Sequence, residues 1–183
     1  AFIHRRVKAQ CINARMIQSV FAVHGRALRE YVKPLLSIAE SLMRASAVPG
    51  ARDVASELYG QIFKHFNEYE QQEVVGALVT HVGSGNPDEG DASLKLLDKL
   101  VCEFPEQMDP FYIFLKGMLD YIDNLAIQHI RILFHMLSHL ITHSEQADSK
   151  SDDLHIFVRK MLMKNTLHDK RVGVIGATMM IQA

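Results

Sequence analysis

Cysteine is nearly absent from this chain of 183 residues: Cys11 and Cys102 are the only two. They stand far apart and without metal-ligand spacing, so neither a disulfide framework nor a cysteine-based zinc motif can be built. A reducing, intracellular setting fits, with both thiols expected as small core residues. A surplus of either charge is missing too. The formal net charge is -1, which argues against strong nucleic-acid binding by this stretch alone. No apolar run reaches the ~18 residues of a membrane span. The nearest, from Ile130 to Ile141, is interrupted by Arg131, His135 and His139. No signal peptide is visible, and no segment alternates with the period of two that a half-buried strand requires.

Motifs of catalysis are lacking as well. There is no Gly-x-Ser-x-Gly elbow and no His-Glu-x-x-His. Gly83-Ser84-Gly85-Asn86 lacks the Lys-Ser/Thr continuation of a phosphate loop and follows a helical pattern, not a strand. Carboxylate pairs such as Asp120 with Asp123 are expected in solvent, so an enzyme has nothing here to be built on. No cofactor is implied.

What remains is an ordinary globular composition, 48% hydrophobic and 22% charged, arranged with helical periodicity. Helices are expected near residues 10–24, 28–46, 51–67, 70–83, 91–104, 110–122, 126–143, 153–165 and 169–182. They are separated by Gly25, Pro49-Gly50, the 83–87 turn and Pro105. Pro34 should either kink the second helix or mark its start. The polar run from Ser144 to Asp153 reads as a loop and as the best candidate for disorder. Second members of successive helix pairs begin near 28, 70, 110 and 153, a step of about 40 residues that belongs to armadillo and HEAT-like arrays. The expected fold is therefore all-α, an α-solenoid of antiparallel helix pairs. Residues 1–183 would form one helical-repeat segment of about four pairs plus a terminal helix. With no initiator Met and an apolar end, the chain reads as an excerpt of a longer protein.

One helix stands out. Asp109 can cap it and Pro110 suits its first position. Phe111, Phe114, Leu115, Met118, Leu119 and Ile122 then share one face, with Lys116 opposite, beside Tyr112, Asp120 and Asp123. Gly117 removes a side chain that could shield the amine. Ile113 and Tyr112 give it an apolar rim suited to a covering protein. On spacing alone, Lys116 reads as a solvated lysine paired with Asp120 one turn on.

Other clusters read as structural. His135, His139 and His143 recur every fourth residue opposite an apolar face, and no Cys or carboxylate has obvious spacing to join them, so no metal site is expected. Gly173 and Gly176 suit close helix packing. The Gln72-to-Val79 stretch resembles a sliding-clamp peptide only loosely, without its aromatic pair. Arg159, Lys160, Lys164, Lys170 and Arg171 straddle a helix junction and could meet phosphate, although Asp152, Asp153 and Asp169 dilute the patch.

The Lys116 stretch resembles the Fanconi anaemia group D2 family. So do Gln71-Gln72-Glu73-Val74-Val75-Gly76-Ala77-Leu78-Val79-Thr80-His81, Met16-Ile17-Gln18-Ser19-Val20 and Val174-Ile175-Gly176-Ala177. The likeness covers nearly the whole chain. It implies a nuclear DNA-repair scaffold in which the lysine of a Phe-hydrophobic-Lys-Gly-hydrophobic-Leu-Asp-Tyr context, here Lys116, accepts a single ubiquitin. Implied partners are the paralogous Fanconi anaemia group I protein, ubiquitin, its conjugating enzyme and the Fanconi core ligase complex. Double-stranded DNA would be held by the full complex in crosslink repair, and no membrane is involved. Tyr112, Ile113, Asp120 and Asp123 are expected contacts for enzyme or partner. The competing reading is a general helical-repeat interaction module with no modification site.

Overall fold

The computed structural model describes residues 2–182. Among these there is no strand. Eleven α-helices follow one another: α1 Phe2–Lys8, α2 Ala14–Leu28, α3 Val32–Met43, α4 Ala51–His65, α5 Glu68–Val82, α6 Pro87–Glu103, α7 Pro105–Met108, α8 Tyr112–Gly117, α9 Ile127–Thr142, α10 Ala147–Met163 and α11 Leu167–Gln182. Short 3-10 turns occupy Arg29–Tyr31, Asp109–Phe111 and Met118–Asn124. Antiparallel helix pairs, α3 with α4 and α10 with α11, are the repeated packing unit.

Helix starts follow local chemistry. Asn13 Oδ1 accepts from the Met16 amide at 3.0 Å. Asn67 forms a reciprocal cap with Glu70, each side chain accepting from the other's amide. Asn86 Oδ1 accepts from the amides of Asp88 and Glu89, so α6 begins with Pro87 at its first position, one turn earlier than expected. Pro34 produces no kink. It lies in the first turn of α3, where its missing amide is not needed.

The chain divides into two compact units, Ala1–Leu96 and Leu97–Ala183. In the first, α4 packs against α1, α2, α3 and α5. Its Ala55, Tyr59, Ile62 and Phe63 are almost fully buried. Polar atoms enter this core as a chain: Tyr59 Oη lies 3.1 Å from His81 Nε2, and His81 Nδ1 lies 2.6 Å from Glu89 Oε1. A tautomer that donates Nδ1–H to the carboxylate leaves Nε2 to accept the Tyr59 proton. Burial pushes the Tyr59 phenol far above its ordinary range; Glu40 adds to this and Arg44 opposes it.

In the second unit α9 is central, packing against α7, α8, α10 and α11. Ile130, Leu133, Phe134, Met136, Leu137 and Leu140 are wholly buried. Gly173 and Gly176 are close-packing positions, as their sequence context suggests. A Cβ at Gly173 would sit 2.9 Å from the Leu162 backbone nitrogen, and one at Gly176 would sit 2.8 Å from Phe134 Cε1.

Helix α11 is anchored by Thr166, whose Oγ1 accepts from the Asp169 amide at 3.1 Å and donates to the Asp169 carboxylate. Those hydrogen bonds, from Thr166 first and Lys164 second, hold the Asp169 carboxyl below the usual carboxylate range. A carboxyl depressed in the folded state adds stability above its unfolded value of about 3.9, and that stability is lost as pH falls from there through the folded-state value. Thr166→Ala is expected to cost about 1 kcal/mol at neutral pH. It should also flatten the loss of stability below about pH 4, both read from urea melts across pH.

Four expectations are corrected. Cys11 and Cys102 are exposed, not core. Ser144 to Asp153 is not a loop throughout, because α10 begins at Ala147. The 110–122 helix is short α8 flanked by 3-10 turns, with Pro110 inside the first and Gly117 ending the α-helical run. Tyr112, read as solvent-facing, is 6% exposed.

Candidate functional site

The tightening after Gly117 sets the surroundings of Lys116. A 3-10 turn advances three residues per turn, so Asp120 no longer lies above Lys116 as it would in a continuous α-helix. The amine instead pairs with the Asp153 carboxylate on α10. A second pair of opposite sense joins the same segments: Lys150 Nζ to Asp109 Oδ1, 2.5 Å. Lys150 also donates to Ser144 Oγ at 2.8 Å. Tyr112 lies beside both pairs, its hydroxyl donating to the Lys150 carbonyl at 3.4 Å and its ring carrying the Lys150 ammonium 5.0 Å from the centroid. Burial, with Asp153 adding, pushes its phenol up to about 12.

Tyr112 therefore belongs to the floor of the site. The apolar body of the helix explains this. Phe111, Leu115, Met118, Leu119 and Ile122 are buried, and the ion pairs with α10 draw the Tyr112 edge inward with them.

These groups line an open cleft of about 710 Å³, with Glu106, Ile113, His143 and Glu145 on its walls. Lys116 stands on it with 35% of its side chain exposed. Ile113 is 65% exposed and forms the apolar rim. An exposed ion pair of this kind contributes about 0–1 kcal/mol, so the Lys116 amine is released cheaply. Nothing lies within 4 Å of a Cβ built at Gly117, so the approach on that side is open.

The other expected contacts scatter. Asp120 is exposed and outside the cleft lining. Asp123 Oδ1 lies 3.5 Å from His168 Nε2 at the start of α11. Arg159 and Lys160 lie exposed on α10, and Lys170 and Arg171 exposed on α11. Lys164 is drawn from that group by Asp169, 2.9 Å away. Asp153, Lys150 and Asp109 are the residues that sequence reasoning missed as partners of the cleft. The signal available was weak: opposite charges more than 35 positions apart.

Comparison with known proteins agrees with the resemblance. A family model described as Fanconi anaemia protein FancD2 nuclease matches residues 1–183. The chain is 35% identical over 185 residues to a Fanconi anemia group D2 protein homolog of Rattus norvegicus, covering 97% of this chain and 12% of that protein. It is 36% identical over 180 residues to a Fanconi anemia group D2 protein of Gallus gallus, covering 98% and 12%. A Mus musculus homolog is 35% identical over 182 residues, covering 97% and 12%. The chain thus spans 12% of the length of these curated relatives. With the match running from the first residue to the last, the chain belongs to the FancD2 family of Fanconi anaemia proteins.

Proposed function

We propose that this chain is the part of a nuclear DNA-repair scaffold that presents Lys116 as the acceptor of a single ubiquitin. The observation that carries the reading is the placement of Lys116. Its amine lies on the wall of an open cleft, held by one exposed ion pair and bordered by exposed Ile113. It occurs within Phe114-Leu115-Lys116-Gly117-Met118-Leu119-Asp120-Tyr121, the context that the family resemblance singles out.

The chemistry asks little of the acceptor beyond position. The uncharged amine attacks the carbonyl of a ubiquitin thioester carried by a conjugating enzyme. An isopeptide bond forms, the carbon–sulfur bond breaks, the enzyme thiol leaves, and the amine proton passes to base. The amine is paired with the Asp153 carboxylate, so docking has to separate the pair first. Ile113 supplies apolar contact to the enzyme or to the paralogous Fanconi anaemia group I protein. Asp120, exposed one turn on, remains a docking contact for the Fanconi core ligase complex.

The nuclease in the family description is not part of this proposal. In the same proposal the chain is one stretch of a helical-repeat array, about four helix pairs and a terminal helix. The exposed cations of α10 and α11 meet double-stranded DNA only as part of the whole complex.

The test is site mapping. The full-length protein, with its paralogue, DNA, ligase and conjugating enzyme, is conjugated, digested with trypsin and read by mass spectrometry. The diglycine remnant is expected on Lys116. A remnant confined to other lysines rejects the assignment.

A further inference from the structure

Helices α6 and α9 bring together three side chains of different chemistry that the proposed function does not use. Asp98 and Cys102 are four residues apart on α6 and so share a face. His135 reaches them from α9, with Nδ1 2.7 Å from Asp98 Oδ1. One ligand atom of each residue, carboxylate oxygen, thiol sulfur and ring nitrogen, lies within 4.8 Å of the other two. We propose that Asp98, Cys102 and His135 form a binding site for a divalent zinc-class cation.

Geometry comes first. Tetrahedral zinc with nitrogen or oxygen ligands at ~2.1 Å and sulfur at ~2.3 Å sets neighbouring ligand atoms about 3.4–3.6 Å apart. The Asp98–His135 separation of 2.7 Å is shorter than that, and the sulfur lies within 4.8 Å of both. Seating a cation requires the Asp98–His135 contact to open by less than about 1 Å. Cys102 is exposed and His135 half-exposed, so both side chains can turn without disturbing the core. That exposure also leaves the fourth position to water.

Donor chemistry selects the metal. A thiolate with an imidazole and one carboxylate suits zinc and disfavours magnesium or calcium, which take oxygen ligands. One turn beyond His135, the His139 Nδ1 is buried and has no hydrogen-bond partner among the described residues. Its ring centroid is 6.0 Å from that of His135. The polar edge of α9 therefore continues past the three ligands as an incompletely satisfied face. A bound cation would tie α6 to α9 in the second unit.

Zinc chloride titrated into the chelator-cleared chain is expected to bind at one equivalent, followed by calorimetry, and to raise the melting midpoint. Cobalt substituted for zinc should show the near-ultraviolet band of a thiolate ligand. Cys102→Ser, an exchange at an exposed position that should leave the metal-free melt unchanged, is expected to weaken zinc binding by more than about 100-fold. That exceeds the 10–100-fold range typical of outer-shell changes. His135→Gln should do the same. Unchanged zinc affinity in Cys102→Ser, a cobalt spectrum without the sulfur band, or no saturable zinc binding at all would overturn the site. None of these outcomes bears on conjugation at Lys116.

Discussion

Lys116→Arg is expected to remove the singly conjugated species altogether, at least about 100-fold below the unchanged protein in a quantitative conjugation assay. Arginine retains the charge and the reach to Asp153, but its guanidinium stays protonated at any working pH and offers no nucleophilic lone pair. Folding should be untouched, with stability within about 0.5 kcal/mol, because the position is partly exposed and the ion pair survives. Asp153→Asn supplies the complementary reading. It frees the amine without altering it, so conjugation should persist or rise. If Asp153→Asn abolished conjugation as fully as Lys116→Arg, the carboxylate would be a docking element and not a restraint on the acceptor.

The largest stability effect belongs to the first unit. His81→Ala is expected to cost about 3–5 kcal/mol, because it strands the buried Glu89 carboxylate and the Tyr59 hydroxyl together. His81 is 1% exposed and Glu89 4% exposed. Arg44 Nε, at 4.0 Å from Glu89, is too distant and too exposed to replace the imidazole. A domain stable by ~5–15 kcal/mol would lose a large fraction of its margin, and the thermal midpoint should fall by roughly 6–20 °C. Tyr59→Phe removes only the terminal hydrogen bond and should cost about 1 kcal/mol. A melt of His81→Ala within about 0.5 kcal/mol of the unchanged protein would show that Glu89 is not held by His81.

Local chemistry was legible along most of the chain. Apolar periodicity placed α4, α5 and α9 close to where they lie, since each follows one buried stripe. It also separated Lys116 from the buried face of its own segment. What periodicity cannot carry is pairing between segments. The polar start of α10 has no apolar stripe and read as a loop. Its Lys150 and Asp153 reach Asp109 and Lys116, and its later turns bury Leu154, Val158 and Met161. The same limit hid Asp98 from His135, two residues 37 positions apart on different helices. Exposure of Cys102 was missed because cysteine's usual burial outweighed its place on the outer side of α6. Gly117 gave a visible signal, but it was read as clearance for the amine when it also marks the change from α-helical to 3-10 winding.

That change of winding has a mechanical side. Through Met118–Asn124 the backbone bonds are the poorer ones of a tight turn, and Tyr121 leaves helical geometry altogether (φ -122°, ψ 29°). Lys116 therefore sits at the end of the short α8, just before this looser stretch of the chain. If Lys116 carries the proposed tag, force applied there would be taken up at that stretch before it reached the packed interior of α9.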